Sequence, residues 1–202
     1  MAKATWLNVN PTKGSGNATI NVSSTAEHTG RNARTTTLTW KASGVKDVVR
    51  NVSQAGKPEY VNIDSSAAAS KEGKRVSISG VSNSSSLSFS LGEGNLNITL
   101  PMSYTAGSMP TTNGTPIGGD PGATQEYVFV IVIDVPANLS TSEKTRQIIV
   151  TDDAGNTAIC RITSAAGDAY VTVQEGTIEL DYLGKPVAWT VSSNTSWTIE
   201  LW

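Results

Sequence analysis

The chain has 202 residues, room for one large or two small domains that each bury a core, and it is low in charge (16%) with a formal net charge of −2. That balance excludes electrostatic capture of nucleic acid or of an anionic membrane, since both need a basic surface. Helix formers are sparse, while Val, Ile and Thr recur in short runs between Gly, Asn and Ser, which predicts many short strands.

In chain order, the N-terminus from Met1 to Trp6 carries no apolar stretch, cleavage site or lipidation cysteine. It predicts a protein made in the cytoplasm and not exported by the usual signal. Trp6-Leu7 opens an extended segment that meets Pro11 and a Gly14-Ser-Gly16 turn. A hairpin follows: a strand from Arg34, a turn at Ala42-Ser-Gly-Val45 and a second strand through Val52. Leu87, Phe89 and Leu91 then alternate with polar residues, the period of a half-buried strand. Residues 92–125 are rich in Gly, Pro, Thr and Ser and too long for a hairpin turn. The expectation there is a mobile surface loop, with an arm ordered against a neighbouring subunit as the sharper alternative.

Residues 127–133 form the longest apolar run, a strand too short to span a membrane. A second hairpin turns at Asp153-Ala-Gly-Asn156. Its outgoing strand, residues 157–163, contains Cys160, the one cysteine, which is expected to be a small buried side chain rather than a reactive thiol.

These elements repeat at a spacing of about 110 residues. The segment from Arg50 to Ile63 aligns with Cys160 to Val173 without a gap, Tyr60-Val61 falling on Tyr170-Val171 and Ala55 on Ala165. Upstream, the strand at Arg34 parallels the one at Arg146. Downstream, Gly73-Lys74 parallels Gly184-Lys185, Ser82-Asn83 parallels Ser193-Asn194, and Leu87, Phe89 and Leu91 fall on Trp197, Ile199 and Leu201. Strand–turn–strand order with no credible helix predicts an all-β chain of antiparallel, Greek-key immunoglobulin-like sandwiches. Residues 59–167 hold one complete unit, including the 92–125 loop. Residues 1–58 hold only the later strands of a unit, and residues 168–202 only its opening strands.

Trp6-Leu7, Pro11, Gly14-Ser-Gly16-Asn17, Arg34 and Val52-Ser53-Gln54-Ala55-Gly56 resemble the BACON domain, an immunoglobulin-like module common in proteins of gut Bacteroidetes and their phages. The opening of that module, ending in Ser-Asn-x-x-Trp, is similar to Ser193-Asn194-Thr-Ser-Trp197, which here stands last instead of first. The resemblance covers residues 4–58 and 170–202 well. It covers the central unit less well, where residues 92–125 replace the Pro-x-x-Gly loop.

A sandwich lacking its first strands exposes an unpaired edge and half a core. Two closures are open: residues 168–202 fold back onto residues 1–58 of the same chain, the slightly favoured reading, or they insert into a neighbouring subunit. The expected seam is Trp6, Leu7, Trp197, Ile199, Leu201 and Trp202. Packing within the split domain is the plainer role for its tryptophans, and a sugar-stacking platform the alternative.

No constellation carries catalytic chemistry. His28 is the only histidine and stands in a polar loop, so neither a triad nor a zinc site can be built on it. The run from Asp152 to Asn156 lacks the alternating ligands of a calcium loop and reads as a hairpin turn. Gly92-Glu-Gly94 and Gly118-Gly119 precede no helix. The sequons at Asn17, Asn97 and Asn138 follow from composition. The expectation is a non-enzyme without cofactor or metal.

The resemblance implies a virion structural protein: an auxiliary (decoration) capsid or head-fibre subunit, as in crAss-like gut phages, whose partners are the major capsid protein or other virion proteins. Self-association through the terminal strands and weak glycan binding accompany that reading, with neither nucleic acid nor membrane as partner. The alternatives are a carbohydrate-binding adhesion module of a gut Bacteroidetes protein and a module cut from a longer polysaccharide-degrading enzyme.

Overall fold

Alternating apolar and polar side chains determine where each strand lies and which face it buries. In the computed structural model, which describes residues 4–202, fifteen strands account for the regular structure: β1 (Leu7–Asn10), β2 (Asn21–Ser24), β3 (Arg34–Ala42), β4 (Val45–Gln54), β5 (Val61–Ile63), β6 (Ser66–Ala69), β7 (Lys74–Ser82), β8 (Leu87–Gly94), β9 (Ser103–Ala106), β10 (Met109–Thr112), β11 (Tyr127–Val135), β12 (Lys144–Asp152), β13 (Thr157–Ser164), β14 (Val171–Val173) and β15 (Val191–Ser193). The one helical element among the described residues is a single 3-10 turn, Pro121–Ala123. The chain is all-β and sandwich-like, as its composition predicts. Among the described residues no helix is long and apolar enough to cross a membrane.

The central unit is a complete immunoglobulin-like sandwich. A five-stranded sheet, in the order β10-β9-β11-β7-β5, covers a four-stranded sheet in the order β6-β13-β12-β8. β11 pairs with β7 along its whole length, from Tyr127 opposite Ser82 to Val135 opposite Lys74. Ile78, Phe129, Ile131 and Ile133 of the first sheet meet Leu87, Ile148, Val150 and Ile162 of the second in one buried core. Phe89 sits edge-on to Phe129 and to Tyr104, with ring centroids 5.8 and 4.9 Å apart. Cys160 lies in this core as expected, and burial pushes its thiol up to about 11.

Residues 92–125 depart from the expected loop or arm. They carry the β9–β10 hairpin, closed at Gly107 and Ser108, both with positive φ as a two-residue turn of this hand requires. Leu96, Ile98, Tyr104, Ala106 and Ile117 of this stretch are buried in the core. Leu96 and Ile98 alternate with polar residues outside any strand, whereas Tyr104 and Ala106 belong to β9, which extends the first sheet past β11.

The flanking segments are two-stranded pieces. Residues 4–58 form the hairpins β1–β2 and β3–β4, which do not join a larger sheet. Residues 168–202 pair only as β14–β15.

Candidate assembly interface

The two flanking pieces are built on the central unit's own plan. The register of β14–β15 (Val171 opposite Ser193, Val173 opposite Val191) reproduces that of β5–β7, in which Val61 lies opposite Ser82 and Ile63 opposite Gly80. Likewise the β3–β4 hairpin, with Arg34 opposite Gln54, reproduces β12–β13, with Lys144 opposite Ser164, so the strand register makes Lys144 and not Arg146 the equivalent of Arg34. In the central unit the free edge of β12 is filled by β8 and that of β13 by β6. β3 and β4 have no such neighbours.

Each piece is fastened to the central unit by the same polar joint. Asn83 accepts the Tyr60 amide at 3.0 Å and donates through Nδ2 to the carbonyls of Thr29, Lys57 and Pro58 at 3.1, 3.2 and 3.3 Å. Asn194 repeats this, accepting the Tyr170 amide at 3.0 Å and donating to the carbonyls of Leu139 and Asp168 at 2.8 and 2.9 Å. Ser82 and Ser193 each donate to the tyrosine carbonyl of their own joint at 2.8 Å. An amide of the strand linker also repeats its bond, Lys57 to Gly30 and Gly167 to Ser140. An asparagine suits this place because one planar amide satisfies both a donor and several acceptors that the joint would otherwise bury unpaired.

The first joint carries further contacts. Arg31 hydrogen-bonds the Asn83 carbonyl at 3.0 Å, pairs with Asp120 and lies 3.5 Å from Glu59. The Asp120 carboxylate raises the Arg31 guanidinium further above its ordinary range. His28 is buried rather than set in open solvent, and its Nε2 donates to the Asn32 carbonyl at 2.7 Å. Asn138 plays the same part at the second joint, donating to the carbonyls of Ser142 and Ala165 at 2.8 and 3.0 Å. Both are loop-holding groups. Asp152 does the same for its hairpin turn, taking the Asn156 amide on its side chain at 2.7 Å.

The joints lie at opposite ends of the central sandwich. Asn83 follows the last residue of β7, beside the start of β11, whereas Lys71 and residues 137–139 flank the start of β7 and the end of β11. Nine strand residues separate the ends, about 27 Å at a rise of roughly 3.4 Å per residue.

Consequently the expected seam residues fall into two separate sets. Trp6 is half-buried under the Arg34 guanidinium, 4.8 Å from its ring, and Leu7 lines a groove of about 740 Å³ between the two N-terminal hairpins. Val9, Ile20, Leu38 and Trp40 line the same groove, together with polar residues such as Asn8, Thr36 and Lys41. At the other end Trp197, Ile199, Leu201 and Trp202 are 48%, 72%, 94% and 107% exposed. Among the described residues no strand pairing, hydrogen bond or ion pair links residues 4–58 to residues 168–202. The second joint holds β14–β15 at the pole away from residues 4–58.

Sequence reasoning missed Leu38 and Trp40, which line that groove, and the mechanical role of Asn83 and Asn194. The repeated Ser-Asn pair was the available signal. It also missed Ile178, Leu180 and Val187, exposed in the C-terminal piece at the places of the inward-facing Ala67, Ala69 and Val76.

No family model matches the chain, and no curated protein matches it. Among solved structures, one determined by NMR of a protein from Bacteroides thetaiotaomicron is similar at 13% identity and a TM-score of 0.25. The match covers 55% of this chain and 89% of that one, and at this TM-score it carries no argument about role.

Proposed function

We propose that the chain is a structural assembly subunit, specifically an auxiliary capsid or head-fibre protein of a bacteriophage virion, working by binding and building rather than by catalysis. One observation carries the assembly part: the pieces flanking the well-packed central sandwich expose apolar side chains, among them Trp40, Val45, Ile178, Leu180, Ile199 and Leu201. Surfaces of that kind are stable only when covered. Burying an exposed Leu or Ile side chain is worth about 1.5–3 kcal/mol, so covering several of them offsets the cost of association. The virion setting comes from the resemblance of residues 4–58 and 170–202 to the BACON module. On this reading the major capsid protein and other virion proteins are the partners.

Mass spectrometry of purified virions from a phage encoding this chain tests the proposal, with glycan-array binding as its counterpart. The expected result is a stoichiometric virion component. Absence from the virion together with strong array binding would replace it with the carbohydrate-binding reading.

A further inference from the structure

We propose that residues 117–127 of the central unit are a clamp that holds residues 4–58 in one fixed orientation, so that the two move as a single rigid body. The inference stands on the contacts of the first joint alone and holds whether or not the chain belongs to a virion.

The covalent connection alone would leave a hinge. Residues 56–60 form one short tether, and a single tether lets two bodies swing and rotate about it. A second attachment away from that line removes the rotation, and residues 29–32 supply it. The Arg31 and Asn32 amides donate to the carbonyls of Gly122 and Ala123, both at 3.0 Å. The Glu126 amide donates to Thr29 Oγ1 at 3.1 Å, and the Tyr60 hydroxyl donates to the Glu126 carboxylate. Main chain lies directly on main chain here: a Cβ at Gly30 would stand 2.3 Å from the Thr124 carbonyl carbon.

Each jaw of the clamp is anchored on its own side. Ile117 is buried in the central core and donates its amide to the Ser85 carbonyl at 2.9 Å, while Tyr127 opens β11 and donates its hydroxyl to the Ser84 carbonyl at 3.0 Å. Between them Asp120 takes left-handed backbone angles (φ 43°), which an aspartate tolerates, with its carboxylate on Arg31. Opposite, His28 holds the Asn32 carbonyl and the Lys57 amide holds that of Gly30. The ion pair is particular to this joint. One repeat later Thr141 and Ala169 stand at the places of Arg31 and Glu59, although the asparagine bonds recur.

Two spin labels on the full chain read the orientation. Lys46→Cys on β4 and Ser77→Cys on β7 carry them, both positions being exposed, while Cys160 is buried and stays unlabelled. The expected result is one narrow inter-label distance. Arg31→Ala removes the tie to Asp120, to Glu59 and to the Asn83 carbonyl, and the distance distribution should broaden. Gly30→Val drives a side chain into the Thr124 main chain, and the distance should shift as well as broaden. In both variants the β11 amides paired with β7 should keep their protection from hydrogen exchange, since the central unit remains folded.

A broad or multiple distance in the parent labelled chain would overturn the inference. So would a variant that keeps the parent's narrow distance, since the tether would then set the orientation without the clamp. Loss of β11 protection in Arg31→Ala would overturn it too, because Arg31 would then belong to the fold of the central unit and not to a tie between two bodies. Arg31→Ala, which adds no bulk, decides the matter if Gly30→Val does not fold.

Discussion

Replacing Asn83 with alanine removes the centre of the first joint. The side chain is fully buried and makes four hydrogen bonds, taking the Tyr60 amide and serving the carbonyls of Thr29, Lys57 and Pro58. Each bond contributes about 1 kcal/mol net, and a buried amide left without a partner costs about 1–3 kcal/mol. Water entering the vacated space recovers part of this, leaving a loss of about 3 kcal/mol. For a unit of this size each kcal/mol moves the transition by about 4–6 °C, so scanning calorimetry should show the main transition lower by about 12–18 °C. Hydrogen exchange should show the Lys57 amide, bonded to Gly30, losing protection at the same time. Asn194→Ala is the control: its joint serves only the open C-terminal piece, so the main transition should hold while the Tyr170 amide exchanges faster. A main transition shifted by no more than a few degrees in Asn83→Ala would refute the account of the joint as the anchor of the N-terminal piece.

Three further outcomes are expected. Phe129→Ala empties a fully buried site against Phe89 and should cost about 3–5 kcal/mol in denaturant unfolding. Gly122→Ala would set a Cβ 2.1 Å from the Asn83 carbonyl oxygen, and the displaced joint should cost about 1–3 kcal/mol while speeding proteolysis near Arg31, whose amide bonds the Gly122 carbonyl. Stability should fall in alkali. Burial raises the Cys160 thiol from 9.0 to about 11 and the Tyr104 phenol from 10.0 to about 12, and it raises Tyr127 as well. The unfolded chain therefore loses these protons first, and the stabilisation that is complete below pH 9 drains away as pH climbs through about 11 to 12. Melting temperatures at pH 8 and pH 11 check the direction, and a thiol reagent at pH 8 should label Cys160 only on unfolding.

The sequence by itself determined the strands and the repeat. β11, β12 and β13 are legible because inward residues recur at every second position, and the turn from Asp153 to Asn156 has the residues a tight reversal needs. The repeat also fixed the order of features in the C-terminal piece, since Ser193-Asn194 and the alternating Trp197, Ile199 and Leu201 stand in the order of Ser82-Asn83 and Leu87, Phe89 and Leu91.

Only the tertiary structure decided the rest. Tyr104 and Ile117 are single apolar residues in a polar stretch, and nothing local marks them as core until β9 lies against β11. His28 reads as a loop residue because its burial comes from chain folded around it, not from its neighbours in sequence. The placing of the two halves is likewise non-local. A linear repeat says that they are complementary, but not whether they can meet. That follows from the direction of β7 and β11, which run end to end through the central sandwich and carry one joint at each end. Their length separates the two flanking pieces, so that no strand of one pairs with a strand of the other.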